Sequence, residues 1–96
     1  MTQNQYKFVV LNPSDNVAVA LEEIPADETI YLSNGTNITI KSLIEFGHKF
    51  SIKKMSKGDT VIKYGEVIGR SSQLIEVGEH VHVHNVEGNR GRGDQK

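Results

Sequence analysis

The chain has 96 residues, eleven Lys and Arg against twelve Asp and Glu, and no cysteine. One hydrophobic core serves that length, and a disulfide scaffold, a thiolate zinc site and a cysteine nucleophile are excluded. The formal charge of −1 argues against a general nucleic-acid binder. No apolar run nears the ~20 residues of a membrane span, and Met1–Gln5 lacks the basic-then-apolar order of a signal peptide. The expectation is a small cytoplasmic domain with neither membrane nor nucleic acid as partner.

Apolar residues recur mostly at alternate positions. Tyr6–Leu11 predicts a first strand, closed by the turn residues Asn12-Pro13-Ser14-Asp15-Asn16. Over 17–24, Val17, Val19 and Leu21 share a strand face, whereas Val17, Ala20, Leu21 and Ile24 would share a helix face. The β-branched residues and short length favour the strand. Thr29–Leu32 and Thr36–Ile40 flank Asn34-Gly35, a strong hairpin signal because both residues accept a positive φ. Ser42–Phe46 predicts one short helical turn before Gly47.

Three segments align without gaps: Ile24–Ile30, Met55–Val61 and Ile75–Val81. Each runs from an apolar residue through a turn residue (Asp27, Gly58 or Gly78) and an acid (Glu28, Asp59 or Glu79) to an apolar strand start. The turn residues tolerate a left-handed backbone, and the acids can accept N–H groups of the turn. The spacings of 31 and 20 residues are unequal, so this is a reused turn-to-strand unit and not a solenoid. An all-β domain of short bent strands follows, over residues 1–86. Residues 87–96 form a polar Gly/Arg tail without an apolar side chain, expected to be mobile or bound to something. Two arginines without aromatic interleaving do not make an RNA-binding element.

Chemistry concentrates in His80-Val81-His82-Val83-His84-Asn85. On an extended strand the three imidazoles project from one face while Val81 and Val83 face the core. A His-x-His pair can present two nitrogen ligands to a divalent ion, but three histidines along a strand span roughly 13 Å, too far for one ion. An adjacent pair plus a ligand from elsewhere is the workable set, and His48 is the remaining histidine. The alternative is a solvated polar face with no ligand. Gly47-His48-Lys49 and Lys63-Tyr64-Gly65-Glu66 offer groups for an anion, or simply end strands at glycine turns. Asn16, Arg70, Gly65 and Gly69 read as turn chemistry.

Taken in order, Asp15–Leu21, Gly47-His48-Lys49, Lys57-Gly58-Asp59, Val61–Gly69, Gly78–Asn85 and Arg90–Asp94 resemble one family. It is the small amino-terminal SAF-type domain of altronate and galactarate dehydratases, which also resembles the alpha subunit of sulfolactate sulfo-lyase. The resemblance covers about residues 6–94. It implies a β-clip (SAF-like) fold and a role as small subunit beside a large catalytic subunit, with the tail connecting to that portion. It implies a hydro-lyase that eliminates water from a sugar acid, with sulfite release or a non-catalytic binding and assembly module as alternatives. The implied cofactor is a divalent metal, iron(II) or manganese, held mainly by the large subunit or directly by this chain. Matching motif positions make His48, His82 and His84 the candidate catalytic groups or metal ligands. Lys49, Lys63 and Tyr64 become candidates for binding the substrate. His80 stands where the family often has a large aromatic, and the resemblance gives it no role.

Overall fold

A computed structural model describes residues 6–33 and 35–88. Nine short strands, and no helix among the described residues, run in the order β1 (Phe8–Val9), β2 (Val17–Ala20), β3 (Thr29–Tyr31), β4 (Asn37–Thr39), β5 (Lys49–Ser51), β6 (Thr60–Lys63), β7 (Glu66–Ser71), β8 (His80–Val81) and β9 (Val86–Gly88). They form a four-stranded sheet ordered β1-β2-β5-β8, the hairpin β3-β4 and a three-stranded sheet ordered β6-β7-β9. All pairs are antiparallel. The strand reading of 17–24 holds for Val17–Ala20 only, since Leu21 is exposed and Ile24 makes an isolated bridge.

The recurring unit occurs four times, not three. Ile44-Glu45-Phe46-Gly47-His48-Lys49-Phe50 has the same bridge, turn and strand as the others, so the short helix expected over Ser42–Phe46 is not formed. Ile44 is buried in an antiparallel bridge to Ile24, which holds the backbone extended there. With the fourth copy the spacing becomes regular: a shift of 31 residues carries Ile24 to Met55, Ile30 to Val61, Ile44 to Ile75 and Phe50 to Val81. Within each half the two units face each other across a bridge, Ile24 to Ile44 and Met55 to Ile75. The four turn residues Asp27, Gly47, Gly58 and Gly78 have φ of 71°, 87°, 92° and 92°. Their N–H groups donate to the carbonyls of Ile40, Ala20, Ser71 and Ser51 respectively.

Each half has its own core. Ile24, Ile30, Ile44 and Phe50 are buried with Ala18, Ala20, Ile38, Ile40 and Ile52, while Met55, Val61, Ile75 and Val81 are buried with Val17. The β3-β4 hairpin closes with Gly35 N–H donating to Leu32 O at 2.9 Å and Gly35 at φ 91°. The glycine thus follows the turn as a bulge residue and does not occupy its second central position, as a two-residue Asn-Gly turn would require; Asn34 lies outside the described residues. β9 continues past Val86 to Gly88, and the tail beyond it, 89–96, also lies outside them.

Candidate active site and metal centre

The site lies where β5 meets β8 at one edge of the four-stranded sheet. β5 pairs β8 with Lys49 opposite Val81 and Phe50 opposite His80, a register that brings His48 across from His82. His48 occupies the position that Glu28, Asp59 and Glu79 hold in the other three units. In two of those, the acid turns inward on its own turn: Asp59 Oδ2 accepts Ser56 N–H at 2.8 Å and Glu79 Oε2 accepts Glu76 N–H at 3.0 Å. At this point an imidazole replaces the acid that caps two of the other turns, and its ring reaches toward β8 instead.

The extended strand expected over His80–Asn85 stops after Val81. His82–Asn85 is a turn, closed by Asn85 N–H donating to His82 O at 3.0 Å. The buried Asn85 side chain secures it from inside: its Oδ1 accepts His82 N–H at 2.9 Å and its Nδ2 donates to His80 O at 2.9 Å. Val81 faces the core as expected, but Val83 is 80% exposed at the tip of the turn and not buried. Asn85 thus gives the His82 N–H and the His80 carbonyl a buried partner at the point where the strand ends.

The turn also compacts the histidines. Instead of stretching over 13 Å, His80 stacks with His82 and with His84 at centroid distances of 5.4 Å each, and His48 stacks with His80 at 5.0 Å and with His82 at 4.9 Å. His48 Nδ1 lies 2.9 Å from His80 Nε2. The ligand atoms of His48, His80 and His82 all lie within 4.8 Å of one another. The set the structure brings together therefore differs from His48, His82 and His84: His80 joins it, and His84 stacks on its outer side. The strand alternation carried this signal, since His80 and His82 share a face, but the aromatic expected at position 80 obscured it. Burial, then the neighbouring His48 and other imidazoles, push His80 below the ordinary histidine value. Slight desolvation, then His48, the Lys49 ammonium and His84, do the same to the exposed His82. Both rings are thereby kept neutral, with lone pairs available to a ligand. The carboxylate of Glu45 lies on the far side of His48, with Oε1 3.7 Å from Nε2.

Lys49, Lys63 and Tyr64 are the remaining candidates from the sequence. Burial and the positive charge of Lys63 lower the Lys49 ammonium below its ordinary value, and Lys49 in turn acts on His82. Lys63 Nζ sits 5.1 Å from the centre of the Tyr64 ring. Tyr64 and Gly65 form the tight β6-β7 turn with φ of 55° and 80°, a strained position for tyrosine. That turn is tied down by the buried Asp15, whose Oδ1 accepts Gly65 N–H at 2.7 Å while Oδ2 accepts the N–H groups of Leu11 and Asn12. Asn16 accepts Ile62 N–H and donates to Thr60 O, so its side chain clamps β6 across the fold, which the turn reading of Asn16 did not foresee. The imidazole cluster is thus within electrostatic reach of the Lys49 ammonium, which in turn feels Lys63.

The altronate/galactarate dehydratase SAF domain matches residues 6–89. The chain belongs to this family. It is 39% identical over 82 residues to altronate dehydratase of Bacillus subtilis and 37% identical over 89 residues to that of Escherichia coli. Those matches take up 85% and 93% of this chain but only 16% and 18% of the dehydratases, so the chain spans less than a fifth of those relatives. It is also 51% identical over 51 residues to the (2R)-sulfolactate sulfo-lyase subunit alpha of Chromohalobacter salexigens, covering 53% of this chain and 54% of that one. The family is thus one of lyases, and the all-β architecture is that of its SAF domain. No described helix is long and apolar enough to cross a membrane.

Proposed function

We propose that this chain is the small component of a hydro-lyase that removes water from a sugar acid such as altronate or galactarate, at a site completed by a large catalytic component. The observation that carries the reading is the convergence of His48, His80 and His82 beside Lys49 on an open edge of a SAF domain from this family. Removing the proton α to a carboxylate builds negative charge on that carboxylate, so fixed cations beside it lower the barrier. Lys49 and Lys63 bind the carboxylate, and the Tyr64 hydroxyl adds a hydrogen bond. His84, exposed and stacked on His80, serves as the proton-transfer group. The α C–H bond breaks, its electron pair forms the C=C bond, and the β-hydroxyl leaves with a proton as water; the enol then becomes a 2-keto acid. A divalent ion, held by this chain or by the large component, would supply further positive charge to the developing enolate.

A second reading has one observation in its favour. The 51 matched residues are 54% of the Chromohalobacter protein, so a relative named as a separate subunit is itself under 100 residues long. In that reading the leaving group is sulfite. One experiment separates them: purify the chain with its large partner and assay altronate, galactarate and sulfolactate for 2-keto acid and for sulfite. We expect water elimination from a sugar acid, little activity without the partner, and at least a 100-fold loss of kcat in His84→Ala. Sulfite release alone would support the second reading. No turnover of any hydroxy acid by the complex would overturn both and favour an assembly module.

A further inference from the structure

We infer that this domain carries the divalent metal itself, on His48, His80 and His82, with Glu45 as the carboxylate that orients His48. The inference deepens the reading above, which leaves the ion's place open between this chain and the large component. It has three supports on the fold itself.

First, the three rings come from two different units, and the fold holds them independently of any ion. His48 is fixed at the end of a glycine turn by its N–H to Glu45 O at 2.9 Å, and by its carbonyl, which accepts Ala20 N–H at 2.8 Å. His80 lies on β8, and His82 is held at the start of the turn that Asn85 clamps. Each ligand thus has a backbone anchor, which is the preorganisation that a metal site needs.

Second, the spacing suits one ion. Nitrogen ligands at about 2.0–2.1 Å from a metal sit roughly 3 to 3.4 Å from each other. The His48 Nδ1 to His80 Nε2 distance of 2.9 Å and the 4.8 Å limit on the whole set need only small ring rotations to reach that. Three imidazole ligands leave coordination positions free, as catalytic sites do, and His82 opens that side to solvent. An all-nitrogen set favours zinc, cobalt, nickel or iron(II) over magnesium or calcium.

Third, the two nitrogens of His48 face different partners. Nδ1 points to His80, while Nε2 lies 3.7 Å from Glu45 Oε1, on the other side of the ring. A metal-bound histidine usually donates its second N–H to a carboxylate, which fixes the tautomer and strengthens the ligand. At 3.7 Å the pair is too long for a hydrogen bond. Glu45 is exposed and free to close by a side-chain rotation once the ion fixes Nδ1 as the ligating atom. Glu45 is therefore a positioning residue and not a ligand.

The test is titration of the tag-free, metal-stripped 96-residue chain with Co(II), Zn(II) and Mg(II), by calorimetry and by the visible absorbance of cobalt. The expected result is one transition-metal ion per chain, with Mg(II) at least about 100-fold weaker. His48→Ala, His80→Ala and His82→Ala should each weaken Co(II) by about 100-fold or more, whereas His84→Ala should bind within twofold of the parent. Glu45→Ala should lose about 10–100-fold, the range for an outer carboxylate partner, with an unchanged melting temperature and a shifted cobalt spectrum; Glu45→Gln, which still accepts the N–H, should recover most of it. His82 is exposed, so its variant separates loss of a ligand from loss of fold. Equal binding by Mg(II), parent-like affinity in His80→Ala, or a loss in His84→Ala matching that in His82→Ala would overturn the ligand set. Parent-like affinity and spectrum in Glu45→Ala would overturn the role of Glu45. Metal binding as described without elimination by the complex would sink only the lyase reading, and elimination by the complex with no ion on this chain would sink only this inference.

Discussion

Asp15 and His48 show how single side chains set the geometry of this domain. Asp15 is buried, which raises a carboxyl's value, but hydrogen bonds from the N–H groups of Gly65, Tyr64, Asn12 and Leu11 outweigh that and hold it below the ordinary 3.8. A lowered folded value means that the carboxylate's stabilising contribution is complete above about pH 4. It is then lost as pH falls through the lower folded value. The parent should therefore lose melting temperature below about pH 4 more steeply than Asp15→Asn, which should start lower at pH 7. Parallel pH profiles for the two would refute this. The sequence made Asp15 legible only as a turn residue, because its partners Tyr64 and Gly65 lie some fifty positions away. His48 was legible as a candidate through Gly47-His48-Lys49, but its replacement of a turn acid emerges only once Ile44–Phe50 is recognised as a fourth unit. Lys49 and Lys63 were likewise separate suggestions in the sequence, and packing alone puts their charges against each other.

At the scale of elements, the four turn-to-strand units differ in what surrounds the left-handed residue. A Cβ at Gly47 would meet nothing, whereas one at Gly78 would run into the carbonyl of Thr39. Gly47→Ala should then cost only the left-handed backbone, about 1–2 kcal/mol. Gly78→Ala should cost that and a further ~1–3 kcal/mol of overpacking, read by urea unfolding. Equal losses would mean that the Thr39 contact relaxes freely. The same contact explains why the units cannot be understood one at a time: Lys41 N–H donates to Gly78 O at 3.0 Å, tying the last turn to the end of β4 in the other half. The sequence pattern made the Asp27, Gly58 and Gly78 turns readable because apolar residue, turn residue and strand start recur at fixed spacing. It misjudged Ser42–Phe46, where an apolar cluster before a glycine suits a helical turn as well as a bridge. It also extended β8 by four residues, since alternation alone does not reveal that Asn85 folds inward.

For the whole molecule, the duplication yields two apolar clusters that share one sheet. β2 contributes Val17 to one cluster and Ala18 and Ala20 to the other, and β5 and β8 place Phe50 and Val81 on opposite sides of the same division. Loss of either cluster removes pairing partners from the other. Heat should therefore unfold the chain in one transition with equal calorimetric and van't Hoff enthalpies. Phe50→Ala should move that single transition down by about 3–5 kcal/mol of stability. Two separate transitions would show the halves to be independent.

The sequence by itself determined the all-β class, the reused turn, the family and a short roster of histidines and lysines. These rest on local period, on backbone tolerance at single positions and on motif order, all of which a linear chain displays. Tertiary structure alone decided that Ile44–Phe50 forms a bridge, turn and strand instead of a helical turn, and that His80 stands with His48 and His82 while His84 stacks outside. It also decided that the Lys49 ammonium interacts with both Lys63 and His82. Those outcomes depend on strand register across 32 residues and on a buried asparagine that bends the chain after β8. Their cause is long-range pairing and the need to satisfy buried polar groups, which leave no period in the sequence.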